Sequence, residues 1–97
     1  MKGIFIAYDQ AYNMDIAVAL EELEIRGSTM WRDIAGRGGF TGEPHLGDHA
    51  WPTMNNAILT FVPDEKVDYV LSKLQAMDEE TPDLGIRAFS WNIEKSY

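Results

Sequence analysis

Apolar residues along the chain fall into four short runs with the pattern of β-strands. Two of these runs are apolar at nearly every position, which is typical of strands that are covered on both faces. A third alternates between polar and apolar residues, and the last places Phe89, Trp91 and Ile93 on one face. The pattern therefore predicts strands over residues 2–8, 28–35, 56–62 and 86–94.

Two further segments have the spacing of amphipathic helices. We predict the first helix over residues 14–26, with Asn13 as its N-cap and Gly27 at its C-cap. Pro63 ends the third strand, and Asp64 is predicted to cap the second helix. The apolar stripe of that helix consists of Val67, Val70, Leu71, Leu74 and Met77.

The order β-α-β-β-α-β predicts an α+β, ferredoxin-like domain that covers residues 1–97. Right-handed crossovers place both helices on one face of a four-stranded antiparallel sheet. The other face would then expose the apolar residues of strands one and three, and monomers rarely carry such a patch. We therefore expect a homo-oligomer, with Trp31 and Trp91 in the core or at the subunit interface.

Charge and composition narrow the class of protein. The formal net charge is −8, and an acidic surface of this kind repels nucleic acids and anionic lipids. Cysteine is absent, which excludes disulfides and thiolate metal sites. The sequence contains no run of 18 to 20 apolar residues and no signal-peptide pattern at its start, so we expect a cytoplasmic protein without membrane insertion.

Residues 36–55, which read GRGGFTGEPHLGDHAWPTMN, are too broken for a helix and too long for a tight hairpin. This long loop between strands two and three, together with the element order, resembles the PII-like superfamily of PII nitrogen-signalling proteins and CutA proteins. The most specific local match is Gly36, Arg37, Gly38 and Gly39, which is similar to the glycine- and arginine-containing base of the PII T-loop.

The resemblance implies a homotrimer whose sheets face inward, with small-effector sites between neighbouring subunits. Gly36, Arg37, Gly38 and Gly39 would contact the effector, because glycines let the backbone approach an anion that a guanidinium can bind. A flexible hinge with a solvated arginine is the alternative for this segment. One departure from PII proteins is the acidic segment 78–83, where PII proteins have glycine and lysine near ATP phosphates. The sequence therefore predicts a different effector, or a nucleotide held in another way.

The resemblance also implies that residues 36–55 contact a protein partner, often a transporter, channel or enzyme. The candidate contact residues are Phe40, Glu43, Leu46 and Trp51. Trp51 is alternatively an anchor for the base of the loop against a neighbouring subunit.

A metal site on the same loop is the alternative interpretation. His45, His49, Glu43 and Asp48 combine imidazole and carboxylate ligands that suit a divalent transition metal. Such a site would indicate a CutA-like metal-binding or metal-tolerance protein. Loop histidines that only form surface hydrogen bonds are the competing explanation.

No catalytic motif is recognisable, since the chain has no cysteine nucleophile and no Gly-x-Ser-x-Gly elbow. We predict a regulatory protein and not an enzyme. Its favoured function is that of a trimeric PII-like regulator whose effector changes the affinity of the loop for a partner. A purely structural assembly subunit remains a third possibility, and the sequence identifies neither the effector nor the partner.

Overall fold

The computed structural model describes residues 1–37, 44–45 and 54–97. Its main sheet has four antiparallel strands in the order β2-β5-β1-β6, which confirms the predicted ferredoxin-like α+β fold. A separate hairpin pairs β3 with β4 in the segment between β2 and β5. The strands are β1 (Lys2–Asp9), β2 (Ser28–Ile34), β3 (Gly36–Arg37), β4 (Pro44–His45), β5 (Asn55–Val62) and β6 (Arg87–Asn92).

Two α-helices, α1 (Asn13–Glu22) and α2 (Val67–Glu80), pack on one face of this sheet. Their apolar residues join those of β1 and β5 in one core, as the helical spacing predicts. The largest fully buried side chains of this core include Ile4, Ile6, Tyr8, Ile16, Leu23, Ile58, Val70 and Leu74. Short 3-10 turns precede both helices and follow α2, at Gln10–Tyr12, Asp64–Lys66 and Pro82–Leu84. No helix in the described ranges is long and apolar enough to cross a bilayer.

The predicted end of the first helix is wrong by four residues. Glu24 adopts a left-handed conformation with φ of 58°, and the N–H of Ile25 donates to the carbonyl of Leu20 at 2.9 Å. This is the hydrogen-bond pattern of a Schellman motif, and it ends α1 at Glu22. Gly27 is therefore not the C-cap; it lies just before β2.

The predicted N-caps are also wrong. Asn13 is the first residue of α1, because the Asp9 side chain accepts from the N–H of Ala11 and begins a helical turn earlier. Asp64 forms no capping hydrogen bond in the described structure; its carboxylate lies 2.6 Å from the N-terminal amino group of Met1. The hydrogen bond from that amino group lowers the pKa of Asp64.

The segment 78–85 is helical for longer than its composition suggests. Asp78, Glu79 and Glu80 all belong to α2, and the chain leaves the helix only at Thr81. Gly85 then takes a left-handed conformation, with φ of 59°, before β6. Three of the four acidic residues in the segment therefore lie on a helix.

The two faces of the sheet differ in burial. Alternate residues of β1, such as Ile4 and Ile6, are fully buried under the helices. The intervening residue Phe5 is only partly buried, and Phe61 in β5 is 49% exposed. In the single chain the helices cover only one face of these strands, so burial on both faces stays a prediction for an assembly of several copies. The face opposite the helices is here called the open face.

Trp31 and Trp91 both lie on the open face, because they share rows with Ala57 and Gly3 in the register. They are 45% and 43% exposed, so neither belongs to the helix-side core. Phe89 lies in the same row as Phe5 and is 60% exposed. With Phe61, aromatic side chains from all four strands of the main sheet therefore lie on one surface of the chain.

Candidate functional site

One end of the sheet carries the segment that the sequence predicts to be functional. The end of β1, the end of β2 and the starts of β5 and β6 meet there, and β3 continues directly from β2. In the β3–β4 hairpin Gly36 pairs with His45 and Arg37 pairs with Pro44. We call this region the loop end of the sheet.

A bulge in β2 sets the direction in which the chain leaves the sheet. The register with β5 shifts between Trp31 and Ile34, and Asp33 has a positive φ of 55°. The Asp33 N–H donates to Oδ1 of Asn56 at 3.1 Å. A side-chain acceptor thus replaces the strand–strand hydrogen bond that the bulge interrupts.

Asn56 belongs to a polar cluster beneath this bulge. Its Nδ2 donates to Oδ1 of Asn13 at 3.2 Å, and the Tyr8 hydroxyl donates to the same Asn13 oxygen at 2.5 Å. Tyr8 is fully buried and Asn56 is 4% exposed, so both polar groups depend on these partners. The cluster connects β1, the start of α1 and β5 to the bulge in β2.

Burial raises the pKa of the Tyr8 phenol above its usual value, against the opposing effects of Asn56 and the positive charge of Arg32. Tyr8 is therefore a neutral hydrogen-bond donor at physiological pH.

Gly36 fits tightly against the start of β5. A Cβ added at this position would meet the side-chain amide of Asn55. The absence of a side chain at Gly36 thus lets β3 pass close to β5 at the base of the loop.

Arginine residues are concentrated at the loop end. Three of the four arginines of the chain lie there, on three different strands: Arg32, Arg37 and Arg87. All three residues are exposed. Guanidinium groups in this position can bind phosphate or carboxylate oxygens in bidentate fashion.

Asp78 lies close to Arg87, which limits how far the Arg87 guanidinium is available to bind an anion. The Asp78 Oδ1 accepts from the N–H of Ile86 at 2.9 Å, and its Oδ2 lies 3.7 Å from Nη1 of Arg87. The same Nη1 donates to the carbonyl of Ile86 at 2.7 Å. Of the four carboxylates in the acidic segment, that of Asp78 therefore interacts with Ile86 and Arg87 of the same chain.

The predicted site residues are only partly covered by the described structure. Gly36 and Arg37 lie at the loop end, and the backbone of His45 pairs with that of Gly36. The remaining predicted effector, partner and metal residues lie outside the described residues, and their roles stay predictions: Gly38, Gly39, Phe40, Glu43, Leu46, Asp48, His49 and Trp51. Within the part of the chain that is described, no group of three or more His, Asp or Glu side chains could hold a metal ion.

Sequence reasoning missed the polar cluster of Tyr8, Asn13 and Asn56. A weak signal was present, because Asn56 opens an apolar strand and Asn13 opens a helix. Each of these two residues has a local explanation as a strand end or a cap. Asn13 and Asn56 are 43 residues apart in sequence, so local patterns do not indicate their contact.

A surface cleft of about 310 Å³ lies at the opposite end of β2 and β5. Gly27, Thr29, Phe61 and Lys66 contribute to its lining. The Lys66 ammonium group donates to the carbonyl of Glu24 at 3.2 Å, and Thr60 Oγ1 donates to the carbonyl of Gly27 at 2.5 Å. The cleft lies at the Ser28 end of β2, and the loop end lies at the Ile34 end.

Comparison of sequences finds no match, either to a protein-family model or to a protein of curated function. Comparison of structures finds chains of the same fold. CPII, a nitrogen regulatory PII-like protein from Thiomonas intermedia K12 bound to ADP, AMP and bicarbonate, is 21% identical with a TM-score of 0.75. That alignment covers 95% of this chain and 84% of CPII.

Two further structures agree. The apo form of CPII is 20% identical over 95% of this chain and 87% of that chain, with a TM-score of 0.71. A chain from Thermus thermophilus described as a PII-like signalling protein is 21% identical over 95% of this chain and 85% of that chain, with a TM-score of 0.66. These likenesses confirm that the chain has the fold of PII-like proteins.

Proposed function

We propose that this chain, which has the fold of PII-like regulatory proteins, binds a small anionic effector at the loop end of its sheet and acts on a partner protein through residues 36–55. Adenine nucleotides and bicarbonate are the first candidates, because CPII of the same fold is bound to ADP, AMP and bicarbonate. The observation that carries the proposal is the position of three arginines at the end of the sheet where the loop begins.

Charge supports an anionic ligand at this position. The whole chain has a formal net charge of −8, so an anion is repelled by most of the surface. Arg32 and Arg37 flank the bulge and the hairpin, where their guanidinium groups offset this repulsion locally. ADP, AMP and bicarbonate all present oxygens that such groups can bind.

The acidic segment 78–83 is compatible with a nucleotide. Asp78 is occupied by the Ile86 N–H and the Arg87 guanidinium, and Glu79 and Glu80 lie on α2 and not in the loop before β6. The sequence alone predicts repulsion of a phosphate by a loop of carboxylates. The structure places three of those four carboxylates on a helix, which weakens that objection.

The open face supports a homotrimer as the functional assembly. Exposed aromatic rings from three strands would be removed from water if sheets of neighbouring copies packed together, at a gain of about 25 cal/mol for each Å² of apolar surface buried. A closed cyclic arrangement leaves no aromatic surface for further association. Effector sites between subunits would then connect ligand binding to the assembly.

The polar cluster offers a connection between the effector and the loop. Arg37 follows the bulge by a few residues, and the bulge depends on the hydrogen bond from Asp33 to Asn56. An anion bound by Arg37 would favour one arrangement of the hairpin and so one conformation of the loop. A membrane transporter is the first candidate for the partner that reads this conformation.

Isothermal titration calorimetry with ADP, AMP and bicarbonate tests the proposal. We expect ADP to bind the wild type, and Arg37→Ala to weaken that binding by about tenfold or more, because a charge-assisted hydrogen bond is lost. Lys73→Ala on the outer surface of α2 removes one positive charge elsewhere and serves as the control. It should bind ADP as the wild type does.

Two results of this titration would contradict the proposal. Absence of heat with all three ligands, from protein that is folded and assembled, would contradict the proposed effector class. Equal loss of affinity in Arg37→Ala and Lys73→Ala would contradict the position of the site at the loop end.

A further inference from the structure

The outer surface of the two helices carries a groove that the proposed function does not use. It is a cavity of about 320 Å³ between α1, α2 and the turn at Pro82–Leu84. Ala19, Met77 and Leu84 contribute its apolar floor, and Val18 lies on its rim, 52% exposed. We call this surface the helix groove.

The rim of the helix groove is acidic. Asp15 and Glu22 from α1 and Glu80 from α2 all contribute to its lining, and Lys73 is the one basic residue among the lining residues that the structure describes. Lys73 is already paired with Glu22, at 3.1 Å between Nζ and Oε2. The uncompensated charge of the rim is therefore negative.

The helices as a whole share this charge. The α1 sequence contains three acids and no base, and the α2 sequence contains four acids and one base. A second copy of this chain would present the same acidic helices, so electrostatic repulsion disfavours it as the occupant. Charge complementarity selects a basic partner.

The helix groove is elongated, with an apolar floor and an acidic rim. It runs along α1 from Asp15 to Glu22, a length of about 10 Å at ~1.5 Å per residue. Ala19 keeps the space between the helices open because its side chain is small. Apolar side chains at positions i, i+3 and i+4 of a third helix could lie over Val18 and Met77 while its basic residues face the acidic rim.

We propose that the helix groove is a docking surface for a basic amphipathic helix of another protein. Apolar residues of that helix contact the floor, and its lysines or arginines pair with Asp15, Glu22 and Glu80. This contact is separate from the open face, since it lies on the opposite side of the sheet. A trimer would present three such grooves on its outside.

A synthetic amphipathic helix of leucine and lysine, about 14 residues long, is a suitable probe, because shorter helices are marginal in water. We expect it to bind the full chain and to shift the NMR resonances of Val18, Ala19, Met77 and Leu84. A peptide of the same composition, scrambled so that it has no apolar face, should bind at least about fivefold more weakly because it cannot cover the floor.

Two pairs of substitutions separate docking in the groove from general attraction to an acidic protein. Asp15→Asn with Glu80→Gln removes two charges from the rim, and Glu21→Gln with Asp68→Asn removes two charges from the same helices outside the groove. We expect the first pair to weaken binding by about fivefold and the second by less than about twofold. Equal weakening by the two pairs, equal binding of the scrambled peptide, resonance shifts confined to other surfaces, or no binding at all would each overturn the proposal.

Discussion

The side-chain Oδ1 of Asn56 in β5 accepts a hydrogen bond from the backbone N–H of Asp33 in β2, with 3.1 Å between oxygen and nitrogen. This bond lies where the register between the two strands shifts. Asp33 has a positive φ, which is unfavourable for a residue with a side chain unless the surroundings hold it. Asn56 thus stabilises the bulge from which the chain turns into the hairpin of β3 and β4.

Replacement of Asn56 should therefore destabilise the fold. Asn56→Ala leaves the Asp33 N–H without its acceptor and removes a donor to Asn13, and a lost buried partner costs about 1 to 3 kcal/mol. Urea denaturation measures the change in the free energy of unfolding. Asn92→Ala, at an exposed asparagine that accepts from Lys2, is the control and should change stability by less than about 0.5 kcal/mol.

Equal stability of the two asparagine variants would mean that the bulge does not depend on Asn56. In that case the connection that we propose between the effector site and the loop would lose its structural basis.

The raised pKa of Tyr8 predicts a loss of stability in alkali. The folded state holds the phenolic proton more firmly than the unfolded state does, so this contribution is complete below pH ~10 and declines as pH rises through the folded-state pKa. Tyr8→Phe removes the titrating group and should flatten the dependence of unfolding free energy on pH above about 10. A wild-type pH profile that Tyr8→Phe leaves unaltered in this range would contradict the assignment.

Gly3 and Trp91 are in contact across β1 and β6 on the open face. A Cβ at position 3 would lie 2.6 Å from Cζ2 of Trp91, which is closer than van der Waals contact allows. Gly3→Ala should therefore cost about 1 to 3 kcal/mol of stability, because the indole must move from its position on the sheet.

A double-mutant cycle with Trp91→Ala checks that cause. Gly3→Ala should cost less in the Trp91→Ala background, where the ring is absent. An unchanged cost in both backgrounds would assign the effect to the backbone of β1 and not to the indole.

Matched substitutions on the two sides of the molecule test which surface is buried in the assembly. Phe89 on the open face and Tyr69 on α2 are 60% and 63% exposed in the single chain. We expect Phe89→Glu to shift sedimentation equilibrium from trimer toward monomer, because it would bury a charge among the aromatic rings, and we expect Tyr69→Glu to leave the mass unchanged. The opposite result would place the subunit interface on the helices.

The sequence predicts this fold well where burial alone decides the structure. The apolar runs of β1 and β5 and the stripe of α2 each indicate one kind of element, and the element order then determines the sheet. The predicted helix caps are wrong where a polar residue could form either a capping hydrogen bond or a hydrogen bond to a distant side chain. Asn13 is a residue type that commonly caps helices. Here its side-chain oxygen accepts hydrogen bonds from Tyr8 and Asn56, and Asp9 caps the preceding turn instead.

The sequence predicts the left-handed backbone conformations of this chain less well than it predicts which residues are buried. Glu24 and Asp33 both adopt positive φ, although glycine is the usual residue for that region, and Gly27 lies close by without taking the C-cap role. The candidate site is predicted from Gly36 and Arg37, which are adjacent in sequence. Its polar support was not found, because Tyr8, Asn13 and Asn56 come together only in the folded chain.

Native mass spectrometry of the full chain in the presence of ADP tests the central claim most directly, since one spectrum reports both the assembly and the bound effector. The account predicts a species of three chains that gains the mass of bound ADP, and a matching species without nucleotide when ADP is left out. A species of one chain that carries no ADP under the same conditions would contradict it.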